Sequence, residues 1–185
     1  MTALWIFLGA IALLLFIAAA LYNGLVRLRQ QANNAWSQID VQLRRRYDLI
    51  PNLVETVKGY MQYEQETLEK VMLARQHAID AQGVQQQAEA ENALTRAIGG
   101  IYAVAENYPD LKASENMARL QEELSGTENK ISYARQFYND SVMDLNTKIE
   151  QFPSNIIAGM FSFRRKDLFE IETPEAREPV QVKFT

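Results

Sequence analysis

The fold is decided by a long periodic stretch in the second half of the chain, SENMARLQEELSGTENKISYARQFYNDSVMDLNTKIE (residues 114–150). Its apolar residues recur at intervals of seven, at Met117, Leu124, Ile131, Tyr138 and Leu145. This spacing places them in one stripe along an α-helix. Ser114 is a candidate N-terminal cap and Pro153 stops the pattern, so the stretch predicts one long helix.

Two other segments carry stripes of the same kind. In the first, which runs from residue 23 towards Gly83, the repeated positions are Trp36, Leu43, Ile50 and Val57. Because Pro51 has no backbone N–H, we expect this helix to kink or restart there, with Asp48 as a candidate cap. The second segment begins after Gly83 and the glutamines 85–87, and its stripe consists of Leu94, Ile98, Ile101, Ala105 and Tyr108.

The N-terminal end of the chain is an uncharged apolar segment, ALWIFLGAIALLLFIAAALY (residues 3–22). Its 20 residues would rise about 30 Å as an α-helix, the thickness of the hydrocarbon core of a bilayer. We therefore predict one membrane anchor. Its anchoring residues include Trp5, Leu8, Leu13, Leu15, Ile17 and Tyr22. The alternative is a cleaved signal peptide, but the long apolar run with no Lys or Arg before it favours a retained anchor.

The charges on either side of the anchor predict its orientation. Only the α-amino group precedes the helix, whereas Arg27 and Arg29 follow it closely. The positive-inside rule therefore places the N-terminus outside and the C-terminal domain in the cytosol. We expect a single-pass protein of the cytoplasmic membrane.

The stripes and their short connections predict an all-α fold, in which the N-terminal transmembrane helix precedes an antiparallel bundle of three to four long helices. Ser154 is a candidate cap for a short last helix over residues 155–163. The alternation of Val180, Val182 and Phe184 indicates an extended tail. We expect three parts with these bounds: the anchor, 1–26; the helical-bundle domain, 27–163; and the extended C-terminal tail, 164–185.

The composition limits the classes of function. The chain has 185 residues and a net charge of −4, all of it outside the anchor, so no overall basic field attracts nucleic acid. It has no cysteine and one histidine, His77, which rules out a cysteine nucleophile and a structural zinc site of Cys and His ligands. We predict no catalytic residue, no cofactor, no metal and no small-molecule substrate.

Two segments are candidates for contact with other molecules. The first combines polar and aromatic groups around the expected kink: Tyr47, Asp48, Pro51, Asn52 and Tyr60. The second is basic and aromatic, as in segments that lie on anionic membrane surfaces: Phe161, Phe163, Arg164, Arg165 and Lys166. For both segments the alternative is burial in the bundle. Arg46 faces the stripe, and we expect it to pair with an acidic residue of a neighbouring helix.

Three long segments resemble the LemA family in order and spacing. They are RRRYDLIPNLVETVKGY at 44–60, NYPDLKASENMARLQEELSGTENKISYARQFYNDSVMDLN at 107–146 and FPSNIIAGMFSF at 152–163. The resemblance implies a single-pass membrane protein, mostly from bacteria, with an antiparallel helical-bundle domain. It implies no reaction, cofactor or catalytic residue. The family likeness extends to a magnetosome-membrane protein, which indicates membrane-organelle or scaffold roles by analogy alone.

The leading hypothesis is a non-enzymatic, membrane-anchored scaffold or protein-interaction module at the cytoplasmic membrane, with a protein partner or self-association. The anchor and the long helices motivate it, because helices offer extended docking surfaces. One alternative is a protein that binds lipid or organises the membrane through residues 161–169. Another is an enzyme with a site made of carboxylates alone.

Overall fold

The computed structural model describes residues 1–61 and 64–170, and helices dominate this part of the chain. Its helices are α1 (Thr2–Lys58), α2 (Gln65–Asp80), α3 (Val84–Ala105), α4 (Pro109–Lys112), α5 (Glu115–Glu150) and α6 (Ser154–Met160). One long apolar N-terminal helix is thus followed by further helices, and the all-α prediction is confirmed. The bounds expected for the anchor, the bundle domain and the tail stay predictions.

The first helix, α1, contains Pro51 and continues beyond it to Lys58. The expected restart at this residue, with Asp48 as its cap, is therefore wrong. The reason is a side chain of α2: Arg75 donates to the backbone carbonyl of Tyr47, the group that the missing N–H of Pro51 leaves without a helical partner. The helix instead ends seven residues after the proline, at Lys58, and the backbone N–H groups of Tyr60 and Met61 then both bond to the carbonyl of Val57.

The next two helices, α2 and α3, form a hairpin. Gly83 lies between them with a φ of 82°, a left-handed conformation that side chains with a Cβ rarely adopt. Because α3 begins at Val84, the glutamines 85–87 lie inside its first turn. The sequence predicts a start after these glutamines, and the structure corrects this boundary to Val84.

The chain divides into two units, each with its own core. In the first unit, Met1–Arg44 with Glu128–Leu168, α1 and α5 run antiparallel. The ring centroids of Trp36 and Tyr138 are 5.4 Å apart, and nearer the anchor Ile149 packs against a cluster that contains Leu25. Other buried apolar residues of this unit include Ala32, Ala35, Ile39, Leu43, Ile131, Val142 and Leu145.

In the second unit, residues 45–127 with Phe169 and Glu170, the last part of α1 packs against the α2–α3 hairpin. The hydroxyl of Tyr47 reaches the carbonyl of Ala78 on α2 and the carboxylate of Glu91 on α3. The buried apolar residues of this unit include Ile50, Leu53, Val57, Leu68, Val71, Leu94, Ile98, Ile101, Leu111, Met117 and Leu124. Most of them belong to the stripes that the sequence shows.

The last helix, α6, is shorter than expected and begins at Ser154 itself. The hydroxyl of Ser154 donates to the carbonyl of Gln151 at 2.9 Å and does not cap the helix, which corrects its predicted role. Residues 164–170 follow without helix or strand. The rest of the predicted extended tail, with Val180, Val182 and Phe184, lies outside the described residues.

Candidate functional site

A buried ion pair lies at the centre of the second unit. Arg46 of α1 donates from Nη1 to Oε2 of Glu91 on α3 at 3.2 Å, and from Nη2 to the hydroxyl of Thr95 at 2.7 Å. Arg46 is 4% exposed and Glu91 is fully buried. The expected pairing of Arg46 with an acidic residue of a neighbouring helix is confirmed.

The other carboxylate oxygen of Glu91 is also engaged. It accepts hydrogen bonds from the hydroxyl of Tyr47 and from Nε2 of Gln87, the latter at 3.2 Å. Nε2 of Gln87 also donates to the Tyr47 hydroxyl at 2.9 Å and to the carbonyl of Ala78 at 3.0 Å. Burial of Tyr47, and then the negative charge of Glu91, raise the pKa of this phenol well above its usual value of about 10.

This cluster has the properties of a structural network. Isolated charges are costly to bury, but here both oxygens of Glu91 accept bonds from donors on α1 and α3. The network is closed to solvent on the Glu91 side, so a substrate has no access to that carboxylate. Its role is to fix the position of α1 against the hairpin.

Sequence reasoning missed Glu91 and Gln87. A signal was present, because 87 and 91 continue the apolar stripe of α3 through Leu94 and Ile98 at intervals of three and four. Polar residues at stripe positions are expected to be buried and paired. Arg46 interrupts the apolar stripe of α1 in the same way. A charged residue in each of two stripes predicts that the two side chains pair with each other.

An open groove lies between α1 and α5 in the first unit. It has a volume of about 590 Å³ and is lined by Ser37, Gln38, Val41, Gln42, Lys130, Tyr133, Ala134 and Phe137. Three large side chains at this groove are exposed: Val41, Tyr133 and Phe137. Oε1 of Gln42 is buried and, within the part of the chain that the structure describes, accepts no hydrogen bond. The surface that the groove presents to solvent is therefore largely apolar.

A second cluster of the first unit lies at the C-terminal end of the apolar segment. Tyr22 contacts Phe161 and Phe163, with ring centroids 4.7 Å and 5.8 Å away. The guanidinium carbon of Arg29 lies 5.0 Å from the centroid of the Phe163 ring, a cation–π distance. The chain segment after α6 is thus attached to α1 directly beyond the apolar run.

The predicted anchoring residues lie on the apolar part of α1. Five of them are exposed, Trp5, Leu8, Leu13, Leu15 and Ile17, and Tyr22 is half-buried. Within residues 1–61 and 64–170, α1 is the one helix long and apolar enough to cross a membrane. This finding fits a single-pass membrane protein.

The five candidate interaction residues lie in different environments. Tyr47 is buried and belongs to the network around Glu91. Asp48, Asn52 and Tyr60 are exposed, and Pro51 is half-buried. The structure therefore does not bring these five side chains to one surface, and a role for the exposed ones stays a prediction.

The candidate membrane-surface residues also separate by burial. Phe163 is buried against the Leu25 cluster, whereas Phe161 is 56% exposed. Arg165 pairs with Glu150 at 2.7 Å, and Arg164 is exposed. The backbone N–H and carbonyl of Lys166 bond to the side chain of Asn146 at 3.0 Å and 2.9 Å, which fixes the chain after α6 along α5.

The described residues contain no set of three His, Asp or Glu side chains close enough to bind one metal ion. His77 is exposed, on a groove of the α2–α3 hairpin that Asp80 and Glu89 also line.

Comparisons with known proteins agree with these features. The chain is 28% identical to Protein LemA of Metamycoplasma hominis, over 93% of this chain and 77% of that protein. It is 22% identical to Magnetosome protein MamQ of Magnetospirillum gryphiswaldense and to Magnetosome protein MamQ 2 of Paramagnetospirillum magneticum, over 94% of this chain and 74% of each relative. The LemA family matches residues 35–184, most of the sequence, so the chain belongs to the LemA family.

Proposed function

We propose that this protein is a non-enzymatic, membrane-anchored scaffold that binds a protein partner in the groove between α1 and α5. The observation that carries the proposal is the set of exposed apolar side chains on this groove, Val41, Tyr133 and Phe137. Apolar side chains grouped on a groove between two helices are typical of surfaces that bind an amphipathic helix. The similarity to proteins named for the magnetosome supports a role at a membrane.

The position of the groove favours a protein over lipid. Val41 is 19 residues beyond Tyr22 on the same helix, which corresponds to about 28 Å. Headgroup charges are screened over about 8 Å at physiological ionic strength, so the groove lies outside their reach. Its occupant would be a protein segment with an apolar face that covers Val41, Tyr133 and Phe137.

The proposed location is the bacterial inner membrane, with the N-terminus outside and the helices after the anchor in the cytosol. Arg27 and Arg29, which follow the apolar segment, support this orientation. A partner would then be a cytosolic protein or one exposed on the inner face of the membrane. Recruitment to that face requires the anchor, which lies on α1, and the groove, which α1 forms together with α5.

Photocrosslinking in native membranes tests the proposal. A benzoylphenylalanine is placed at Tyr133 or Phe137, and at Gln136 as the control, an exposed position of α5 that does not line the groove. We expect adducts with one protein from the two groove positions, and their loss in the Val41→Glu variant. The crosslinked peptide, identified by mass spectrometry, should have an apolar helical face and should bind the purified protein but not Val41→Glu.

Other outcomes contradict the proposal. Adducts at Gln136 as strong as those at Phe137 would mean collisions and no docking. An adduct of twice the 21.2 kDa mass would show that the groove contacts a second copy of the chain. Lipid adducts alone would exclude a protein partner at this surface.

A further inference from the structure

The segment around α6 is apolar on the side that faces away from the rest of the first unit. Residues 151–163, QFPSNIIAGMFSF, contain no charged side chain. Ile157 and Ala158 are buried in the Leu25 cluster, but four large apolar side chains are exposed: Phe152, Ile156, Met160 and Phe161. Large apolar side chains grouped on an exposed surface are typical of a site that contacts a membrane or another protein.

The contacts of α6 with α1 indicate the depth at which α6 would lie in a bilayer. The cluster that contains Ile157, Ala158 and Phe163 also packs against Ala18, Leu21 and Tyr22 of α1. Ala18 precedes Tyr22 by four residues, or about 6 Å along the helix, and so lies within the uncharged run. Helices that lie in the membrane interface bury their apolar face about 5–10 Å deep. With the apolar run across a bilayer, contact with Ala18 would place α6 at an interfacial depth.

The charges next to α6 complete this arrangement. Arg27 and Arg29 follow the apolar run on α1, and residues 164–166 follow α6 with three basic side chains. Arg29 lies over the Phe163 ring, so the two basic groups belong to one end of the unit. Basic residues beside an apolar interfacial segment bind anionic headgroups.

We propose that α6 and its flanking phenylalanines form a second membrane contact, with Phe152, Ile156, Met160 and Phe161 inserted among lipids beside the anchor. The occupant of this surface is the bilayer itself, because the surface continues the apolar segment of α1 through the contact of Phe161 with Tyr22. The first unit would then rest on the membrane through two helices. The inference is independent of the groove, because α6 contacts α1 at Tyr22 whereas the groove contains Val41, further along the same helix.

Fluorescence quenching in vesicles tests this contact on the full chain. Because the natural chain has no cysteine, single cysteines at Ile156, Met160 and Val41 can each be labelled with the polarity-sensitive dye NBD. Val41 is a matched control, since its side chain is 60% exposed and that of Ile156 is 54% exposed. The protein is reconstituted in vesicles of phosphatidylcholine and phosphatidylglycerol, with and without nitroxide on the lipid acyl chains. Circular dichroism checks that each labelled variant keeps its helix content.

We expect blue-shifted emission at Ile156 and Met160, and a loss of intensity when the nitroxide lipid is present. The emission of the dye at Val41 should change in neither respect. The proposal fails if the dyes on α6 behave like the one at Val41. It also fails if they are blue-shifted but unaffected by nitroxide lipid, because this would show that α6 is covered by protein, as in contact with a second copy.

Discussion

The Nε atom of Arg75 lies 2.8 Å from the carbonyl oxygen of Tyr47, the residue four positions before Pro51. In an unbroken helix that carbonyl would accept the backbone N–H of residue 51, which proline lacks. A side chain of α2 therefore supplies the hydrogen bond that α1 cannot make for itself. This contact is tertiary, and it explains why the helix runs through the proline.

This relationship predicts that Arg75 and Pro51 are energetically coupled. Arg75→Met should lower the free energy of unfolding by about 1–3 kcal/mol, because a buried carbonyl loses its donor. In the Pro51→Ala background the same change should cost less, since the new N–H can bond to Tyr47. Urea unfolding of the full chain in detergent, followed by circular dichroism, gives the double-mutant cycle. Equal costs in both backgrounds would mean that Arg75 acts through packing alone.

Arg46 and Arg44 provide a matched test of the buried network. Arg46→Met leaves the carboxylate of Glu91 buried without its ion pair, and should cost about 3–5 kcal/mol. Arg44 pairs with Asp40 on the exposed surface of α1 at 2.9 Å, so Arg44→Met should cost less than about 1 kcal/mol. The midpoints of denaturant unfolding measure both. A small effect at Arg46 would argue against the closed network described above.

The phenol of Tyr138 predicts a loss of stability in alkali. Its hydroxyl donates to the carbonyl of Asp167 at 2.9 Å, and burial, with the charge of Asp167 as a smaller cause, raises its pKa to about 12. The unfolded chain loses this proton near pH 10, the folded chain only near pH 12. The raised pKa of Tyr138 therefore adds to the free energy of unfolding, by an amount on the order of 2 kcal/mol. This stabilisation is complete below pH 10 and is lost between pH 10 and 12.

Tyr138→Phe isolates this contribution from other groups that titrate in alkali. The variant should be less stable than the natural chain at pH 8, by about 1 kcal/mol for the lost hydrogen bond. Its unfolding free energy should then fall less steeply between pH 10 and 12. Parallel pH profiles for the two proteins would show that Tyr138 has an ordinary pKa in the folded state.

Substitutions of Phe161 and of Phe163 should differ strongly in their effect on stability, although the two residues are only two positions apart. Phe163→Ala removes a buried ring from the cluster around Leu25, and should cost about 3–5 kcal/mol. Phe161→Ala removes a mostly exposed ring, so we expect a cost below about 1 kcal/mol in detergent. Thermal unfolding of both variants measures the difference. Equal costs would contradict the burial described for these two rings.

The orientation of the anchor can be tested with one labelled position. A cysteine at Gln85, an exposed residue of α3, should react with a membrane-impermeant maleimide only after the cells are lysed. Reaction in intact cells, with any outer membrane permeabilised, would place the helices outside the cytosol. A partner would then be sought in the cell envelope.

Much of the helical fold could be read from the repeated apolar positions. Leu43, Ile50 and Val57 are buried, as are Ile131 and Leu145, because a period of seven keeps side chains on one face of a helix. The break between Lys58 and Gln65 was missed because the apolar pattern continues across it. Periodicity shows which residues share the apolar face of a helix. A turn between two helices whose apolar faces are aligned leaves that periodicity nearly unchanged, so the pattern does not show the turn.

The candidate sites were harder to predict, since they depend on contacts between distant parts of the chain. Between Phe161 and Phe163, which differ in burial, lies Ser162 with a left-handed φ of 54°. A left-handed serine has no clear sequence signal, because glycine and asparagine are the usual residues there. In the same way, nothing in the segment around Pro51 indicates that Arg75 supplies its missing hydrogen bond.

The unbroken course of α1 has a mechanical consequence. The apolar run and Val41 of the groove belong to one helix, so a change in the tilt of the anchor must move the groove. Over the roughly 28 Å between Tyr22 and Val41, a tilt of about 20°, the average for membrane-spanning helices, displaces the groove sideways by about 10 Å. Bilayer thickness changes such tilts. The position of the groove relative to the bilayer would therefore depend on the thickness of the surrounding membrane.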